Sequence, residues 1–151
     1  MEIKRLNTAQ VQELLPLVRE VFLEDEAADY PEDGKRAFWN AIHDPAYLSS
    51  LCAYGAYDGG EAVGILATRS EGSHVALFFV RKAYQGRGIG RALWNTALEN
   101  GCAESVTVHS SLFAVPVYER LGFVCTGETQ VENGIRYVPM QHTRTVKGDR
   151  V

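Results

Sequence analysis

Three glycines at alternate positions, Gly86, Gly88 and Gly90, stand where an apolar strand pattern passes through a polar turn into a helix pattern, Val80-Arg81-Lys82-Ala83-Tyr84-Gln85-Gly86-Arg87-Gly88-Ile89-Gly90-Arg91-Ala92-Leu93. Such a junction aims unpaired backbone N–H groups at one point in front of a helix N-terminus, where the helix dipole favours negative charge. Glycine lets a ligand approach that backbone with no Cβ in the way. The chemistry is phosphate binding. Arg81, Lys82, Arg87 and Arg91 add a local basic patch to a chain of net charge −4. Three kinds of loop share this outline. A Walker loop would close on Gly-Lys-Ser or Gly-Lys-Thr, but Gly90 is followed by Arg91-Ala92. A dinucleotide fold wants an acidic residue at the end of the next strand, which here reads Val106-Thr107-Val108-His109. The pattern Gln/Arg-x-x-Gly-x-Gly/Ala fits Gln85-Gly86-Arg87-Gly88-Ile89-Gly90.

A second constellation follows, Ala114-Val115-Pro116-Val117-Tyr118-Glu119-Arg120-Leu121-Gly122-Phe123. It reads as a short helix that carries Tyr118, stops at Gly122 and passes into a strand at Phe123. The two motifs, in this order, resemble the pyrophosphate loop and the tyrosine helix of the GNAT superfamily of N-acetyltransferases. Arg136-Tyr137-Val138-Pro139-Met140 is similar to a C-terminal segment of one subfamily. The resemblance covers roughly residues 52–127 and implies acetyl-coenzyme A as co-substrate. It assigns the pantetheine and the thioester carbonyl to the strand backbone at Phe78, Phe79 and Val80. The pyrophosphate falls to Gln85, Gly86, Arg87, Gly88, Ile89, Gly90 and Arg91. Tyr118 matches the tyrosine that protonates the coenzyme A thiolate, a short step in pKa between a phenol and a thiol.

The chain also departs from the family pattern. Many members have Asn where this chain has Ser111, which can still donate and accept and is retained as a cofactor contact. Members that acetylate protein N-termini can carry a glutamate base where this chain has Val106. Another base must be found, or none is needed; His109, at the end of its strand, is the candidate, against a structural role for the same imidazole. His74 opens the preceding strand, distant from the bulge that the family has there. The acidic run Glu24, Asp25, Glu26 and Asp29 would attract a cationic amine, or else is a solvated loop. Tyr30, Phe38 and Trp39 either line an acceptor pocket or belong to the core.

The elements that must hold these residues follow from periodicity. A strand at 2–6 leads to a helix capped by Asn7 or Thr8, with Val11, Leu14, Leu15, Val18, Val21 and Phe22 on one stripe and Pro16 kinking or dividing it. A helix over 33–42 ends at Asp44-Pro45. Strands at 52–58 and 62–69 flank the hairpin signal Asp58-Gly59-Gly60, and a strand at 74–80 follows. After the loop come a helix at 88–99, a strand at 105–109, the Tyr118 helix, a strand at 123–130, and a last strand at 135–142. The resemblance implies an α/β (α+β) fold with a mixed, mainly antiparallel sheet of about seven strands and helices on both faces. One N-acetyltransferase domain is expected over 1–145, with a flexible tail at 146–151.

Composition bounds the rest. A chain of 151 residues with 46% hydrophobic and 23% charged residues is long and apolar enough to bury a core. Its net negative charge argues against a nucleic-acid partner. Cys52, Cys102 and Cys125 have no metal-ligand spacing, so no metal is expected, and they read as buried thiols in a reducing cytoplasm. No signal peptide or membrane-length apolar run is read. The expectation is therefore a cytoplasmic N-acetyltransferase, monomer or homodimer, that moves an acetyl group directly to a small-molecule amine or a peptide or protein amine. The alternative is a non-catalytic acyl-coenzyme A sensor or regulatory module.

Overall fold

In the computed structural model, which describes residues 1–144, the glycine junction is the point where a parallel crossover leaves the sheet. The tail expected at 146–151 lies outside the described residues. The strands are β1 (Glu2–Leu6), β2 (Cys52–Asp58), β3 (Glu61–Arg69), β4 (His74–Val80), β5 (Ser105–Ser110), β6 (Val124–Cys125), β7 (Gln130–Glu132) and β8 (Ile135–Thr143). They form one eight-stranded sheet in the order β1-β2-β3-β4-β5-β8-β6, with β7 also on β8. Among the described residues only β4 and β5 run parallel. They are joined by the helix α5 (Ile89–Asn100), as a parallel pair requires.

The helices α1 (Thr8–Glu13), α2 (Leu15–Asp25), α3 (Glu32–Ile42) and α4 (Pro45–Ser49) cover one face, and α5 and α6 (Val115–Arg120) the other. Asn7 caps α1 with a capping box: its side chain accepts from the Gln10 N–H at 2.8 Å, and the Gln10 side chain accepts from the Asn7 N–H at 2.9 Å. Pro16 divides the first apolar stripe by standing in the first turn of α2, where its missing N–H is harmless. Gly59 and Gly60, both at positive φ, make the two-residue hairpin turn between β2 and β3.

Two expectations need correction. Asp44-Pro45 ends α3 but also starts α4, with Asp44 accepting from the Ala46 N–H at 3.0 Å. An Asp-Pro pair is a start signal as well as a stop. The strand expected at 123–130 is split into β6 and β7, which brings the sheet of about seven strands to eight among the described residues.

The feature that positions the site is the divergence of β4 from β5. The two strands share a single register pair, His74↔Thr107, and part toward the glycine loop. On its other side β4 gains one residue against β3: Thr68 faces Val75 and Ala67 faces Leu77, so Ala76 is a bulge. The bulge therefore lies two residues from His74, nearer than expected.

Candidate active site

The loop from Gly86 to Arg91 presents a run of amides with no acceptor among the described residues; the first bond of α5 is from the Ala92 N–H to the Gly88 carbonyl. Gly88 is the N-cap of α5 in the left-handed region at φ 84, and Gly86 is at φ 77. A Cβ at either position would meet nothing within 4 Å. The space beside the loop is thus open at these two glycines, and its unpaired amides are of the kind that suits a phosphate or diphosphate. Gly90 has a different reason: its Cβ would stand 3.2 Å from the Phe78 ring. Ile89 is buried and offers the loop only its N–H.

The cationic patch divides. Arg81 donates to both Glu20 carboxylate oxygens at 2.9 Å and through Nε to the Ala62 carbonyl at 3.0 Å, so it belongs to the scaffold, which corrects its place in the patch. Arg91 reaches the Arg120 carbonyl at 2.6 Å and ties the first turn of α5 to the end of α6. Arg87 lies 5.0 Å above the Tyr84 ring, outside the cavity wall. The Gln85 side chain donates to Asp25 and to the Val80 carbonyl, both at 2.9 Å. It acts on the loop as a tether to the end of α2.

A cavity of about 610 Å³ runs from this loop along β4 to α6. The Arg81 N–H donates to the Val63 carbonyl, and pairing alternates along the antiparallel β3–β4 ladder. The backbone groups of Phe78 and Val80 therefore turn away from β3 and into the cleft, while those of Phe79 pair with Ile65. Phe78 packs edge-on to Tyr118 with ring centroids 5.7 Å apart, and the Phe79 side chain is buried under α1–α4.

Tyr118 is placed by a Schellman ending of α6: the Phe123 N–H donates to the Tyr118 carbonyl and the Gly122 N–H to the Glu119 carbonyl, with Gly122 at φ 101. The Tyr118 ring is 6% exposed, and its hydroxyl has no hydrogen bond among the described residues. Burial, and then the charge of Glu26, push its pKa well above that of a free phenol. The short step between phenol and thiol inferred from the sequence is corrected accordingly. Ser111, also buried, accepts from the Ala114 N–H at 3.2 Å, which starts the turn into α6.

A second cavity of about 170 Å³ meets the first at Glu26, Phe78 and Tyr118 and continues between Tyr30, Tyr47, His74 and His109. His109 stacks on Tyr137 with centroids 4.2 Å apart and meets His74 edge-on at 5.1 Å. Burial lowers the His109 pKa; Glu132 opposes this and Arg69 adds to it. His74, with Nδ1 2.8 Å from Thr107 Oγ1, is lowered to about 4 by burial, then Arg69, then His109. Both imidazoles are therefore neutral at physiological pH.

The acidic run does not act as one. Asp29 is 7% exposed, accepts from the Leu112 N–H at 3.1 Å and pairs with Arg136 at 3.2 Å, so it holds the β5–α6 loop and β8. Asp25 holds Gln85, and Glu24 is exposed. Of these acids Glu26 alone faces both cavities, half-buried at the C-terminus of α2, and its carboxyl has no hydrogen bond or ion pair among the described residues. Its pKa is pushed up to about 7, first by burial and then by Asp25 and Asp29. Glu26 is the residue that sequence reasoning left inside a charge run. Its only local signal was position, just past the last apolar residues of the first stripe.

No group of three or more metal-ligating side chains occurs among the described residues, and none of their helices is long and apolar enough to cross a membrane. The acetyltransferase (GNAT) domain family model matches residues 26–144. A UPF0039 protein of Mycobacterium tuberculosis is 29% identical over 147 residues, covering 91% of this chain and 86% of its own. The fold is similar to a GCN5-related N-acetyltransferase structure from Rhodopseudomonas palustris, with a TM-score of 0.74 at 19% identity and 95% of each chain covered. It is similar also to the PaiA N-acetyltransferase of Thermoplasma acidophilum in complex with coenzyme A, with a TM-score of 0.63 at 16% identity, covering 95% of this chain and 98% of the other. A mixed sheet that parts beside a glycine loop, together with a family match over most of its length, shows that this chain belongs to the GNAT acetyltransferase family.

Proposed function

We propose that the protein is an acetyl-coenzyme A-dependent N-acetyltransferase acting by direct transfer to a primary amine, with Glu26 as base and Tyr118 as acid. One observation carries this reading. Two unpartnered proton-transfer groups, a carboxyl poised near neutrality and a buried phenol, face the junction of an open-amide phosphate cradle with a small second cavity.

The residues divide the work as follows. The amides of Gly86–Arg91 hold the diphosphate, and the cleft-facing backbone of Phe78 and Val80 holds the pantetheine arm, with the Val80 N–H toward the thioester oxygen. The acceptor nitrogen bonds to the carbonyl carbon, and its proton, made acidic as the nitrogen becomes positive, goes to Glu26. The C–S bond then breaks, and the thiolate takes the Tyr118 proton. Neutralising Glu26 removes the charge that helps keep Tyr118 protonated, so the first transfer eases the second. The phenolate then recovers its proton from Glu26. His109, neutral and stacked on Tyr137, is a wall of the acceptor cavity in this scheme, and the role of base moves from it to Glu26. The three free cysteines and the use of acetyl-coenzyme A go with a cytoplasmic setting.

The test is turnover of acetyl-coenzyme A against a broad panel of primary amines, read as free thiol. Tyr118→Phe is expected to lower kcat about 10- to 1000-fold while the Kd for acetyl-coenzyme A stays unchanged. A parental kcat in a chemistry-limited step would make Tyr118 a packing residue. Tight acetyl-coenzyme A binding without thiol release on any amine would make the protein a sensor instead.

A further inference from the structure

The turn between β3 and β4, which leads into the cavity-lining His74, is constrained from several sides. Ser70 and Glu71 are both left-handed, at φ 56 and 58, and Gly72 follows at φ 79. A Cβ on Gly72 would lie 2.0 Å from the Gly101 carbonyl oxygen. The turn is also bonded from outside: the Ala103 N–H donates to the Gly72 carbonyl and the Thr107 N–H to the Ser73 carbonyl. Backbone held this way persists only where the surroundings over-determine it. Its effect is to fix the two flanking residues, Arg69 and His74, as register partners on one face of the sheet.

His74 lines the cavity, and its Nδ1 is engaged by Thr107, which leaves Nε2 free. The hydroxyls of Tyr30 and Tyr47, on the same wall, have no hydrogen bond among the described residues. Arg69 has neither an ion pair nor a side-chain hydrogen bond among them, and its charge is felt by Tyr47, His74 and His109. Glu26 stands where the small cavity meets the large one, and the exposed Arg69 stands across the β3–β4 ladder from the cavity-lining His74, on the same face of the sheet.

We propose that the acceptor is a compact ω-amino carboxylate, its amine at Glu26 and its carboxylate held by Arg69 with His74 and Tyr47 at the mouth of the cavity. This rests on the acetyl-transfer reading above. Arginine matches a carboxylate bidentately, and the same charge repels a second ammonium, so diamines and polycationic antibiotics are selected against. The small volume excludes extended acceptors.

The experiment compares 5-aminopentanoate with its methyl ester and with pentylamine, and repeats the set on Arg69→Gln and Arg69→Lys. The parent is expected to use the acid at least about 10-fold better in kcat/KM, the scale of one hydrogen bond to a charged group. Arg69→Gln should lose that preference through KM for the acid alone, leave pentylamine unchanged, and leave acetyl-coenzyme A affinity unchanged. Arg69→Lys should restore part of it. Equal use of ester and acid, or a preference that survives in Arg69→Gln, overturns the proposal. Calorimetric titration of 5-aminopentanoate into the coenzyme A complex separates the two readings. Arg69-dependent binding without turnover keeps the subsite and counts against transfer. No binding at millimolar concentration overturns the subsite, whether or not other amines are acetylated.

Discussion

Glu26→Gln lowers kcat/KM at pH 8 by about 100- to 10,000-fold, the usual range for loss of a positioned base, and makes the protein more stable at that pH. Both effects come from one cause. The carboxyl is half-buried and close to Asp25 and Asp29, so its charged form is disfavoured and its pKa is raised to about 7. In the parent, kcat/KM should climb as pH rises through about 7, and the mutant should lose that limb. For stability the sign runs the other way. Below pH 4.5, the ordinary carboxyl value, the group is protonated whether folded or unfolded. Between there and about 7 the unfolded chain ionises while the folded one keeps its proton, so stability falls with pH across this window and levels off above it. Glutamine escapes the loss. The mutant should gain about 1–3 kcal/mol over the parent at pH 8 and nothing at pH 4. Chemical denaturation at the two pH values, beside a pH–rate profile, checks both halves. A mutant less stable at pH 8 would mean that Glu26 has an anionic structural partner role that its unpaired position does not suggest.

Gly88→Glu removes acetyl-coenzyme A binding, raising Kd by at least about 100-fold. The substitution acts twice: a side chain at φ 84 strains the turn by about 1–2 kcal/mol, and its carboxylate occupies the space in which the amides of Gly86–Arg91 converge. Gly59→Glu separates the two effects. Gly59 also has positive φ, 58, and open space around its Cβ, but it lies in the β2–β3 hairpin. It should bear comparable strain and bind acetyl-coenzyme A normally in calorimetry. If Gly88→Glu binds as tightly as Gly59→Glu, the loop is a connector and the phosphate assignment is wrong.

The parts of this molecule that were legible in the sequence are those in which a residue type meets a local conformational demand. Gly86 and Gly88 are needed because the loop is left-handed there, and Gly122 because α6 ends in a Schellman turn. The order of strands and helices followed from their periods, whereas the sheet with helices on both faces was implied by the resemblance to the acetyltransferase family. Charge was less legible, because partners lie far along the chain. Arg81 reads in the sequence as part of a basic patch but is held by Glu20, and Asp29 reads as part of an acidic run, amine-attracting or solvated, but is held by Arg136 and the Leu112 amide. Once these pairs are formed, Glu26 is left over, and the run of acids around it had hidden that distinction. Short elements failed for another reason. The β6–β7 break depends on how each piece meets β8, and no periodicity of two or three residues records that.

The parting of β4 from β5 gives the molecule an unprotected seam in the middle of its sheet. Amides of β4 that point toward β5 beyond His74 have the location of core strand residues but the hydrogen-bonding state of a loop. In deuterated solvent they should exchange early, ahead of the neighbouring amides paired with β3. A ligand that lies along the seam completes the ladder, so exchange there should slow sharply when coenzyme A is added. Because such a ligand binds only the folded chain, the melting temperature should rise with each tenfold increase in its concentration. The apparent robustness of the protein is then a property of how well supplied it is with its co-substrate, as much as of its own packing.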